Sequence, residues 1–358
     1  MKIGIPKEIK PQESRVAVVP SGVRELSRDG NTVMIERGAG IEAGISDGDY
    51  AAMGAKIVDS PDVIYGACDM VYKVKEPLPS EYPLIRPGQI IFTYFHFAAS
   101  LELTRAMQKT GALCAAYETL ELPDGSLPLL IPMSEIAGRM APQCGAQALE
   151  KHRGGSGVLL GGVPGVRPAA VTILGGGVSG SHAAKIAAGM GAQVTILDIS
   201  LPRLRHLAEI MPPNVATLYS DSQVIADTCA SSDLIIGAVL VHGAPAPRLI
   251  TREILRSMRK GSVFVDVAVD QGGCSETTRP TTHNDPTYIE EGVVHYAVAN
   301  IPGAVGRTST FALMNATLPF ARKIARKGAS IIDDPEFRSA INVYKGEILY
   351  PELQKIFG

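Results

Sequence analysis

No run of apolar residues in this chain approaches the roughly 18 that a membrane-spanning helix requires, so no membrane partner is expected. Neither sign of charge is in excess: 34 Lys and Arg stand against 36 Asp and Glu, for a formal net charge of −2. That balance offers no electrostatic basis for nucleic acid as a partner. The five cysteines, Cys68, Cys114, Cys144, Cys229 and Cys274, are odd in number, scattered, and form no C-x-x-C pair. Reduced thiols in a cytoplasmic protein are expected. None of the seven histidines stands at H-E-x-x-H or other metal-ligand spacing, so no metal site is expected. There is no internal repeat and no disordered tract. The opening Met1-Lys2-Ile3-Gly4-Ile5-Pro6 reads as a short strand and not as a signal peptide.

What the chain does have is length and punctuation. Its 358 residues suit two domains, and a folded chain of this size buries about three-quarters of its unfolded surface without disulfides or metals. The 37 glycines and 25 prolines lie between apolar segments, as many short strand–helix connections require. Strands are expected at Lys2–Ile5, Thr32–Glu36, Met70–Val74, Gln89–Phe95 and Leu113–Tyr117, with helices from a capping Ser21 to Gly30 and from Ser100 to Thr110. A long helix over Ser134–His152 leads into Gly154–Pro168, which has no period of its own. A second block follows: strands Ala170–Leu174, Gln193–Leu197, Asp233–Ala238 and Ser262–Val267, and helix Ser181–Met190. The segment from Thr308 to Gly328 reads as a helix that carries the chain back to the first domain. The expected class is α/β: two Rossmann-like domains with mainly parallel sheets, joined by long helices, with the active site in the interdomain cleft. The first domain comprises residues 1–133 and 309–358, the second 134–308.

The strongest local signal is "AAVTILGGGVSGSHAAKIAAGMGAQVTILDIS". A β-branched strand runs into Gly175-Gly176-Gly177-Val178-Ser179-Gly180, a small-residue helix follows, and the next strand ends at Asp198. Gly175 permits the turn, Gly177 lets backbone approach a pyrophosphate, and Gly180 lets the helix lie close on the sheet. The helix N-terminus offers unpaired N–H groups to phosphate. Asp198 can accept from an adenosine ribose and repel a 2′-phosphate, which favours NAD over NADP. Arg203 and Arg205 close behind weaken that preference.

Other residues are chemically odd for their surroundings. His96 in "TYFHFAAS" ends an apolar run; it is either a core histidine satisfied by backbone or a proton carrier in a dry cleft. Arg15 interrupts the apolar "ESRVAVVP", Lys73 and Lys75 fall two residues apart and so on one side, and Asp270 follows alternating valines. Each singly could be a loop charge or an ion pair. Jointly, Lys75, His96 and Asp270 sit near the carboxyl ends of expected strands, where open parallel sheets bind ligands. Cations can grip a carboxylate through charge-assisted hydrogen bonds worth roughly 1.5–3 kcal/mol each. An imidazole can move a proton near neutral pH. Clamp, proton shuttle and nicotinamide together describe oxidation of a small amino or hydroxy acid.

These segments resemble those of the alanine dehydrogenase/transhydrogenase-α family nearly end to end, through "KIGIPKEIKPQESRVAVVP", "VKEP", "TYFHFAAS", "PMSEIAGRMA", "GVLLGGVPGV", "ILGGGVSG", "DLIIGAVL", "VDVAVDQGG" and "NIPGAVGRTSTFALMNATLP". The resemblance implies NAD-dependent oxidative deamination of L-alanine to pyruvate and ammonium, and the reverse. It implies Arg15 and Lys75 on the substrate carboxylate, and His96 and Asp270 in acid–base chemistry. The cofactor would meet Ser134, Gly175–Gly180, Asp198, Arg203, Ser220, Val239, Leu240, Val267, Asp270 and Asn300. A homohexamer is also implied. His242 and Gly306 stand where proline is usual in the family. The alternatives are the NAD(H)-binding component of a transhydrogenase, which has no use for His96 beside a carboxylate clamp, and a non-catalytic NAD(H)-sensing module.

Overall fold

Apolar runs of four or five residues, bounded by charged or glycine-rich turns, are too short for helices and suit strands buried on both faces. Lys2–Ile5, Ile90–Thr93 and Ala170–Leu174 are of this kind, and each lies inside a mainly parallel sheet. The computed structural model describes residues 1–239 and 246–357. They divide into two α/β units: Met1–Met133 with Val305–Gly358, and Ser134–Ala304. The chain returns to the first unit at Val305 rather than 309, because the helix expected from Thr308 already begins at Gly306.

The first unit holds eight strands in the order Glu347–Ile348, Ile341–Tyr344, Leu113–Ala116, Ile90–Thr93, Met70–Tyr72, Lys2–Ile5, Thr32–Glu36, Lys56–Val58. All pair in parallel except the C-terminal hairpin, which runs antiparallel against Leu113–Ala116. The first helix is Pro20–Arg28, and Ser21 is not its cap. Pro20 occupies the first turn, where a missing N–H costs nothing, and Val19 is the extended residue before it. Helix Leu101–Thr110 is capped by the Ser100 hydroxyl, which accepts from the Leu103 N–H at 3.2 Å, and stops at Gly111 with φ 67°.

The second unit has seven strands in the order Thr287–Glu290, Val293–Tyr296, Val263–Asp266, Leu234–Gly237, Ala170–Leu174, Gln193–Asp198, Val215–Tyr219. Only the edge strand Thr287–Glu290 is antiparallel. Helix Val178–Gly189 presses Ala183, Ala184 and Ala187 onto the sheet with no exposed surface. The long helix runs Ile131–Ala148, three residues ahead of its expected start, and contains Pro142.

One buried polar group ties the edge of this sheet together. His295 is fully buried, stacked on Tyr288 at 4.9 Å. Its Nδ1 lies 3.0 Å from the Val293 carbonyl, which can only accept, so Nδ1 carries the proton and Nε2 accepts from the Thr277 hydroxyl at 2.8 Å. Burial lowers the pKa of this neutral ring. Below about pH 6.5 the unfolded chain binds a proton that the folded ring refuses, so stability falls as pH falls. Melting temperature measured from pH 7.5 to 5 should drop more steeply in the wild type than in His295→Gln; parallel slopes would remove His295 from the acid response.

Candidate functional site

Three neighbouring parallel strands set the chemistry of the first unit. Met70–Tyr72, Ile90–Thr93 and Leu113–Ala116 pair in register, Tyr72 with Phe92 and Phe92 with Ala115. The residues just past their carboxyl ends are therefore neighbours: Lys75, His96 and Glu118. The Thr93 hydroxyl donates to the Lys75 carbonyl at 2.8 Å, and the Tyr94 N–H to the Val74 carbonyl at 3.2 Å, so the first two loops are laced together.

His96 sits at φ 53°, ψ 40°, in the left-handed region that a residue with a Cβ rarely adopts. Glu118 is what holds it there. Its carboxylate accepts the His96 N–H at 2.6 Å and the Phe95 N–H at 3.2 Å. Tyr94 lies parallel to the imidazole, at 5.8 Å and 9°. The imidazole is thus not satisfied as a core histidine; residue 96 is exposed. Surrounding protein, then the positive charges of Lys75, Lys10 and Arg15, push its pKa down.

Lys73 and Lys75 part company. Lys73 is buried, its Nζ 2.8 Å from Glu81 and 3.5 Å from Glu8, and Glu81 also takes the Tyr65 hydroxyl. It is a structural ion pair. Lys75 is half-buried, and among the described residues no carboxylate lies within ion-pair distance of its ammonium. Burial, then Arg15 and Lys10, lower its pKa. Arg15 is buried and forks onto Glu13, with Nε to Oε1 at 2.6 Å, while Nη1 meets the Met133 sulfur at 3.0 Å. Burial opposes its charge, but Glu13 outweighs that and keeps the guanidinium pKa above its ordinary value.

In the second unit the cradle is built as its glycines require. A Cβ on Gly180 would stand 1.8 Å from the Gly175 carbonyl oxygen, whereas one on Gly177 would point into open space. Helix Val178–Gly189 has no side-chain cap, so its first N–H groups are open to a phosphate. Asp198 accepts the Gly176 N–H at 2.7 Å and the Ser200 N–H at 2.8 Å. Arg203 donates to the Gly176 carbonyl at 2.6 Å, which makes it a brace of the loop. Ser179 donates to the Ser134 carbonyl at 3.0 Å, Ser220 donates its N–H to the Asp198 carbonyl, and the Val239 backbone lies against Gly175. A dinucleotide's phosphates and ribose fit this donor and acceptor set. Leu240 and His242 fall outside the described residues.

Asp270 is exposed on the 3-10 turn Val267–Gln271, with the Asn300 N–H 3.5 Å from its Oδ2. Asn300, like His96, has a positive φ. The turn is braced by Asp266, whose buried carboxylate accepts the Ala268 and Cys274 N–H groups and the Thr278 hydroxyl. Gly306 packs on Ser14, whose Oγ would stand 2.1 Å from an added Cβ. Glu118, Glu13 and Asp266 were not among the expected site residues. Glu118 follows an expected strand just as His96 does, but only strand pairing reveals what it holds.

Family models described as alanine dehydrogenase/PNT match the chain twice, the N-terminal domain over residues 4–137 and the C-terminal domain over residues 141–351. An alanine dehydrogenase of Halomonas elongata is 52% identical over 360 residues, covering 100% of this chain and 97% of its own. A solved L-alanine dehydrogenase structure superposes with a TM-score of 0.97 at 52% identity, covering 100% of this chain and 99% of that one. The transhydrogenase of Sinorhizobium meliloti, at 24% identity and a TM-score of 0.86 over 97% of this chain and 100% of that one, shares the fold.

The Glu118 clamp has a measurable signature. Glu118→Ala should cost about 1–3 kcal/mol in denaturant unfolding, the price of two N–H groups left without their carboxylate. The same change should cost less in a His96→Gly background, because glycine takes φ above zero without strain. Strict additivity of the two substitutions would show that the carboxylate does not support the left-handed backbone.

Proposed function

The chain belongs to the alanine dehydrogenase/PNT family, and on that premise we propose how its residues carry out the reaction. It is an amino-acid dehydrogenase that oxidises L-alanine to pyruvate and ammonia and runs the reverse amination. The finer reading concerns cofactor and residues. Bound NAD would supply the hydride acceptor, with its pyrophosphate on Gly175–Gly180 and its ribose on Asp198, whose oxygens keep lone pairs beyond the two backbone bonds. Ser134, Ser220, Val239, Leu240, Val267 and Asn300 complete the proposed cofactor contacts.

Lys75 takes the substrate carboxylate as its counter-charge, and Arg15, aimed by Glu13, adds directed hydrogen bonds. His96 removes the proton from the water that attacks the iminium carbon and returns a proton to departing ammonia. Asp270 supports the positive charge that develops on nitrogen. The observation that carries this reading is an ammonium, that of Lys75, without a carboxylate partner among the described residues, on the loop laced to that of a neutral, exposed imidazole. The charges of Lys75, Lys10 and Arg15 keep free His96 in its unprotonated form but weaken it as a base, so its proton affinity has to rise in the complex. Pyruvate brings a carboxylate to Lys75 and no ammonium, so it offsets one of those charges and the imidazole pKa climbs when it binds.

Four of the five free cysteines are buried thiols, which supports a cytoplasmic location. Exposed Leu159, Val163 and Val166 support a homo-oligomer, a hexamer by family resemblance.

NADH absorbance should fall with pyruvate plus ammonium and hold steady with larger 2-oxo acids. His96→Ala should lower kcat about 10²–10⁴-fold. For the wild type, the His96 pKa read from pyruvate amination should be higher in kcat, which reports the complex, than in kcat/KM, which reports the free enzyme. Near-normal turnover by His96→Ala, or the opposite order of the two pKa values, would overturn the assigned role.

A further inference from the structure

Three cations act electrostatically on His96: Lys75, Lys10 and Arg15. Two of them carry a carboxylate already. Arg15 is forked on Glu13, with both side chains almost wholly buried, and Lys10 is ion-paired with Glu76. Lys75 alone of the three has no such partner among the described residues. Glu13 and Glu76 also act on Lys75 itself. Arg15 can therefore direct hydrogen bonds to a ligand without adding net charge, whereas Lys75 adds a full positive charge.

We propose that Glu13 and Glu76 set the permitted charge of the substrate: by neutralising Arg15 and Lys10 in place, they leave one uncompensated cation, so the site takes acids with one carboxylate and rejects those with two. The inference rests on the reaction assigned above and adds a rule of selection to it. A second carboxylate on a three-carbon acid would lose water beside Glu13 and Glu76 with no cation left to meet it. Unpaired charge placed against the wrong ligand is a recognised route to specificity. Size selection would act through apolar walls; this device acts through charge alone, and the two are separable.

Malonate and isovalerate have the same branched shape and differ in whether the far end is a carboxylate or a pair of methyl groups. Competitive inhibition against pyruvate by the full-length enzyme should give a malonate Ki at least about tenfold above that of isovalerate, the scale of one like-charge contact in a partly buried site. Glu76→Gln and Glu13→Gln should each shrink that ratio by about fivefold or more, chiefly through malonate. Glu13→Gln disturbs a buried pair and risks misfolding. Glu76→Gln does not share that risk to the same degree, since Lys10 is 38% exposed and Glu76 15%. The same ratio read from ligand-induced melting shifts needs no turnover. Wild-type malonate binding as tight as isovalerate, or a ratio unmoved in the folded variants, would overturn the charge rule. Absence of pyruvate turnover would instead sink the reaction, leaving the melting ratios to decide the rule.

Discussion

Everything in the first unit depends on the register of three parallel strands. Hydrogen bonding between Met70–Tyr72, Ile90–Thr93 and Leu113–Ala116 brings their carboxyl ends level, so residues far apart in sequence emerge as neighbours. A slip of one residue would turn every side chain of a strand to the opposite face. Here the strands are buried on both faces, and Tyr72, Phe92 and Tyr117 pack ring against ring across them. That packing specifies the register, and the register places a lysine, a histidine and a glutamate at one level.

Charge buried beside those ends is the second constraint. Desolvation disfavours an ion wherever it lies, so a buried ion persists only with a partner. Lys73 has Glu81 and Glu8, and Arg15 has Glu13. These cations are neutralised in place, which leaves Lys75 as a cation with no carboxylate partner among the described residues. Strain follows the same logic. The left-handed backbone at His96 persists because Glu118 binds its N–H and that of Phe95. A carboxylate thus does for the backbone at His96 what Glu13 does for the guanidinium.

The second unit solves a different problem, that of letting a ligand approach a backbone. Close contact between Gly175 and Gly180 leaves no room for a Cβ, and the space at Gly177 is open. Asp198 and Arg203 pin the loop from two sides, through an N–H and a carbonyl of Gly176. Asp266 performs the equivalent task for the turn that carries Asp270.

Short apolar runs, glycine spacing and turn residues determined by themselves that the chain forms two mainly parallel α/β units and a dinucleotide cradle, because those patterns act over a few residues of backbone. The motifs also named Arg15, Lys75, His96 and Asp270. Local pattern misplaced the cap of the first helix, where Pro20 outranks Ser21, and could not separate Lys73 from Lys75, two cations in one short segment. Only tertiary structure decided which of them is neutralised, since Glu81 and Glu8 reach Lys73 from other parts of the chain. It likewise decided that Glu118 holds His96, across 22 residues of sequence. Partnership between distant charges depends on strand pairing and burial, and neither is written in the spacing of the residues concerned.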